Sequence, residues 1–121
     1  MLEGRLISRV ALLQGGFYFL TGVWPLLDID SFQVVTGPKI DLWLVRTVGI
    51  LVAVIGTVLV TAWRRRSVGP EIIVLGMGSA LGLTAIDIIY VSLGTIAPIY
   101  LADVVVEIGL AAAWAVGRLR S

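Results

Sequence analysis

Asp87, Asp103, Glu107 and Arg46 each interrupt an apolar run long enough to cross a bilayer. An ionisable group at the centre of such a run costs roughly 2.5–3.5 kcal/mol on insertion scales, so its presence calls for a partner or a function. Their spacing suggests that they meet. The last two apolar segments read as a hairpin centred near Thr95, with Asp87 eight residues before that point and Asp103 eight after it. Both aspartates then sit at one depth. Glu107 follows Asp103 by four residues, one turn deeper on the same helix face. Arg46 lies a little more than one turn into its own segment, again at the level of the aspartates, and is expected to point into the bundle. Thr21 shares that level on the first segment. Tyr18, Tyr90 and Tyr100 are within reach, Trp43 stands at the outer rim, and Gln14 is deeper.

Three carboxylates and one guanidinium leave an excess of negative charge in a poorly hydrated place. Such an excess is expected to be met by protons. Arg46 would keep Asp87 or Asp103 ionised, and the deeper Glu107 would hold a proton. An ionised acid beside a protonated one is the pairing general acid–base chemistry needs, with Asp103 and Glu107 as acid and base and Asp87 as the third catalytic candidate. It is equally what a proton relay or a cation site needs. The bland alternative is an Arg–Asp pair that fixes helix packing. That role needs one acid, whereas this chain brings three. A calcium or magnesium site would want more oxygens than these side chains supply, so neither metal nor cofactor is expected.

The elements that must position these groups are helical spans. The 121 residues are 59% apolar and only 14% charged, far from the roughly 25% charged residues of soluble domains. Four apolar segments, about 6–27, 42–63, 71–91 and 97–117, each approach the ~20 residues a spanning helix requires. None alternates with period two, so a β-barrel is excluded. The chain reads as one all-α domain, an integral membrane four-helix bundle with antiparallel up-down spans. Arg5 and Arg9 precede the first span, which lacks an Ala-x-Ala cleavage site and reads as retained. Arg64, Arg65 and Arg66 follow the second span, and Arg118 and Arg120 the fourth. The positive-inside rule then places both termini in the cytoplasm. Trp24 and Trp43 would mark the outer interface, Trp63 and Trp114 the inner one. With neither cysteine nor histidine, thiolate zinc sites, disulfides and histidine-based triads are excluded.

Between the first two spans, Asp28–Asp41 is too long for a tight turn and too apolar for a solvated loop. It is expected to lie along the outer interface or to fold over the mouth of the bundle, with Gly37-Pro38 as a turn and Asp41 capping the second helix. Pro70 suits the first turn of the third helix. The arginine run is a topology and anionic-lipid element, not a nucleic-acid site. Gly49, Ala53 and Gly56 form one close-packing stripe and Gly78 and Gly82 a GxxxG pair.

The stretches WPLLDIDSFQVVTGPKIDLWLVRTVG (Trp24 to Gly49), AIDIIYV around Asp87 and IYLADVVVE (Ile99 to Glu107) resemble a family of small bacterial four-span integral membrane proteins. The resemblance covers most of the chain and implies a bacterial inner-membrane location, but no activity. The leading expectation is a site in the outer half that binds a lipid-like or other small apolar ligand. Isomerase, hydrolase or cyclase chemistry is left open there. The alternatives are a structural or assembly subunit of a membrane complex, and proton or cation translocation through an oligomer. Membrane lipids are expected partners, and a homo-oligomer stays open.

Overall fold

The computed structural model describes residues 2–119, with side chains from residue 6 onward. Arg120 and the side chain of Arg5, both used above for topology, lie outside that range. Every regular element among the described residues is helical: α1 (Leu2–Leu27), α2 (Ile29–Thr36), α3 (Leu42–Arg64), α4 (Pro70–Ser92) and α5 (Tyr100–Leu119). Four of them are long and apolar enough to cross a membrane. The last helix starts three residues later than expected, because Ala97, Pro98 and Ile99 complete the turn. Pro70 occupies the first turn of α4, where its missing N–H is no loss.

Helix α1 is the hub. It packs along α3 on one side and against α5 on another, α5 packs on α4, and α3 and α4 barely touch. The α1–α3 contact is made backbone to backbone. A Cβ on Gly22 would lie 2.6 Å from the Gly49 carbonyl oxygen, and one on Gly56 would lie 2.6 Å from that of Gly15. Rising numbers on α1 thus meet falling numbers on α3. Gly49, Ala53 and Gly56 are all buried, as their stripe required. Without lipid exclusion to drive association, this close approach supplies the van der Waals contact that holds the pair.

The pair Gly78 and Gly82 behaves differently. Both are exposed, and an added Cβ at either would meet nothing within 4 Å. The buried stripe of α4 is instead Gly76, Ala80, Thr84 and Asp87. Gly76 is small because the indole of Trp114 lies flush against it, 2.5 Å from where a Cβ would be. Trp114 is therefore a core residue with no exposed surface, not an inner-interface marker. With Ile7, Val10, Ala11 and Leu59 it forms an apolar core at the end of the bundle that holds the N-terminal half of α1.

The connection between α1 and α3 folds as the short helix α2. Asp28 caps it by accepting from the Ser31 N–H (3.2 Å), and the Trp24 indole donates to the Ser31 hydroxyl (2.8 Å) while meeting Phe32 edge-on. Gly37, at φ +96°, ends the helix with a conformation that suits glycine. Asp41 holds the N-cap position of α3, but its side chain makes no capping bond.

Candidate functional site

The acidic residues come together as their spacing required. The Asp87 carboxyl on α4 faces that of Asp103 on α5, near enough to share a hydrogen bond, and Asp103 stands in the same relation to Glu107 one turn below. Asp87 is 4% exposed and Glu107 1%, whereas Asp103 keeps partial access to the surroundings. The site is thus graded, from an accessible acid to a sealed one.

Tyr18 on α1 closes the deep end. Its hydroxyl donates to Glu107 Oε1 at 2.6 Å, and the ring is 1% exposed. Below it lies a node that spacing alone did not flag. Gln14 donates from Nε2 to the Gly76 carbonyl (2.8 Å) and accepts from the Trp114 indole N–H (2.5 Å), so one amide ties α1 to α4 and α5. The signal was present in the sequence. Gln14 precedes Tyr18 by one turn, and Glu107 precedes Trp114 by two, so each pair shares a helix face. The polar run Asp87, Asp103, Glu107, Tyr18 and Gln14 then stops at the apolar core around Trp114.

Within this run one atom stands out. Asp87 Oδ2 is buried and receives no hydrogen bond from an N–H or hydroxyl, so any bond it makes is with the facing Asp103 carboxyl. Buried polar atoms nearly always find one, since leaving one unmade costs about 1–3 kcal/mol.

Arg46 does not join the cluster. It is exposed, and among the described residues no ion pair connects it to an acid. The cause lies in the partner helix. Gly49, one turn further along α3, already meets Gly22 and Pro25, so only the last residues of α1 remain to cover Arg46. A long cationic side chain that near a helix end extends to the polar edge. The expectation that Arg46 balances an aspartate is therefore corrected.

The other candidates divide. The Thr21 hydroxyl is taken by its own helix, donating to the Phe17 carbonyl at 2.8 Å. Trp43 is 68% exposed on the first turn of α3, and Tyr90 is 39% exposed on α4. Tyr100 is half-buried with Lys39 Nζ 5.1 Å above its ring. Lys39 also donates to the carbonyls of Thr36 (2.9 Å) and Gly37 (3.0 Å), and a Cβ at Gly37 would lie 3.4 Å from that of Ala97. The linker after α2 thereby reaches the turn between α4 and α5. A hollow of about 420 Å³ lies between linker and turn, at the turn end of the hairpin that carries the aspartates, and no acid lines it. Among the described residues, no three acids are grouped so as to hold one metal ion.

Comparison with protein-family models, with curated proteins and with solved structures returned no match to this chain.

Proposed function

We propose that this chain is a small membrane protein whose outer half binds a lipid-like or other small apolar ligand at Asp87, Asp103 and Glu107. In this reading the spans run up and down with both termini in the cytoplasm, and the bundle resides in a bacterial inner membrane. The four apolar helices and the basic residues after α3 and at the end of α5 support that placement. Membership of the small bacterial four-span family belongs to the same proposal.

The observation that carries the reading is the buried Asp87 Oδ2, which no N–H or hydroxyl satisfies, in a cluster of acids that Arg46 does not balance. A purely structural acid would be expected to have its bonds completed by the fold. The sparse contact between α3 and α4 offers a sideways approach from the lipid. Asp103, the accessible acid, is the group that would exchange protons with a bound molecule, and Glu107, held by Tyr18, is the group that would steady it. That division suits acid–base chemistry on an apolar substrate. Translocation fits less well, because the polar run ends at Trp114, Ile7, Val10 and Leu59.

Stability measurements separate binding from scaffolding. Residues kept for a ligand are often poorly satisfied without it. Neutralising Asp87 as Asp87→Asn should therefore leave the unfolding midpoint in detergent unchanged or raised. Breaking a buried structural pair instead loses roughly 3–5 kcal/mol. A loss of that size in Asp87→Asn and Asp103→Asn alike would assign the acids to the scaffold.

A further inference from the structure

The hollow between the linker and the α4–α5 turn carries a cation that the fold holds in place without neutralising it. Lys39 lines it, and the ammonium, which has three hydrogens to give, donates to the Thr36 and Gly37 carbonyls. Its backbone N–H is held as well, by Gln33 Oε1 at 2.9 Å. These partners and the Tyr100 ring are neutral, and no described acid pairs with the ammonium. Pinning a long side chain in this way removes much of the ordering cost that binding an anion would carry.

The other walls suit the same guest. Thr95 brings a hydroxyl that bonds to no described residue, and no acid lines the hollow. Pro38 and Pro98 stiffen its two sides, and Gly94 turns the chain at φ +74°. The volume, about 420 Å³, falls within the roughly 300–1,000 Å³ of small-ligand sites. A cation would meet Lys39 as a like charge, and a neutral group would leave the ammonium unbalanced.

Position selects the carrier of the anion. The hollow sits at the start of α3, the end of α4 and the start of α5, three helices long and apolar enough to cross a membrane. That is the level of lipid headgroups. Beside its lining residues, Ile40 is 97% exposed, Leu93 70% and Ile99 48%. We propose that the hollow binds the phosphate of a net-anionic phospholipid, with Lys39 and Thr95 donating to its oxygens and these apolar side chains against its acyl chains. The site is separate from the acids and independent of what they bind.

The test is native mass spectrometry of the full chain in detergent, titrated with dioleoylphosphatidylglycerol or dioleoylphosphatidylcholine. The glycerol lipid should bind at least ~10-fold more tightly, because its phosphate carries no ammonium to face Lys39. Lys39→Gln should abolish that preference, and Arg65→Gln, at the opposite end of α3, should keep it. Should Lys39→Gln fail to fold, Thr95→Val should lower the affinity for the glycerol lipid about 3-fold, and an unchanged affinity there would overturn the site. Equal affinity of the parent for the two lipids overturns the requirement for net negative charge. A preference that survives Lys39→Gln rejects the hollow, and its loss in Arg65→Gln would assign the lipid to the arginine run. Displacement of the lipid by an equal concentration of inorganic phosphate would make the ligand a free anion and overturn the lipid.

Discussion

At the residue scale, the acids differ in how fully they are satisfied, and that difference predicts distinct mutational behaviour. Tyr18→Phe removes the donor to Glu107 Oε1 within the sealed end of the cluster. Side-chain hydrogen bonds between membrane helices are worth roughly 0.6–2 kcal/mol, so unfolding in mixed micelles should show a loss of that order. Gln14→Leu should lose more, since it strips partners from both the Gly76 carbonyl and the Trp114 N–H. A Gln14→Leu protein as stable as the parent would show that the node is not formed. Much of this level was legible beforehand: the pairing of Asp87 with Asp103 follows from their equal distance from Thr95, and Glu107 follows one turn later. Arg46 was not. Helical periodicity places it on the Gly49 stripe, but periodicity does not say where the partner helix stops.

At the element scale, glycines sort by what faces them. Gly22→Ala would force a methyl to within 2.6 Å of the Gly49 carbonyl and the Ala53 nitrogen, so α1 and α3 must part. Overpacking of this kind costs about 1–3 kcal/mol. Gly78→Ala meets open space and should be neutral or stabilising, by up to ~1 kcal/mol from helix propensity. Thermal unfolding of the two variants side by side checks the contrast, and equal effects would contradict the packing. The sequence reading treated both glycine motifs alike, because a GxxxG spacing shows that a close approach is allowed without showing which helix comes close. The stripe on α3 succeeded because α1 carries Gly15 and Gly22 at the same seven-residue interval as Gly56 and Gly49. No such counterpart faces Gly78 and Gly82. Trp114 was misplaced for a similar reason: its interfacial preference gave way to a buried amide that accepts its N–H.

At the scale of the whole molecule, the absence of native cysteine makes orientation directly measurable. Single substitutions Lys39→Cys and Ser67→Cys should react with an impermeant maleimide from opposite sides, position 39 from outside intact cells and position 67 only after the membrane is opened. The reverse pattern would invert the bundle and move the acids to the cytoplasmic half. The four spans and their order were readable from length and hydropathy alone. The hub position of α1 was not, because it depends on which faces mate. That arrangement leaves α3 and α4 loosely joined. The central claim, that Asp87, Asp103 and Glu107 form a ligand site, is tested most directly by native mass spectrometry of protein extracted in mild detergent, comparing the parent with the Asp87→Asn, Asp103→Asn double variant. The parent should carry an adduct of small-molecule mass that the folded double variant lacks; identical spectra from the two proteins would contradict the claim.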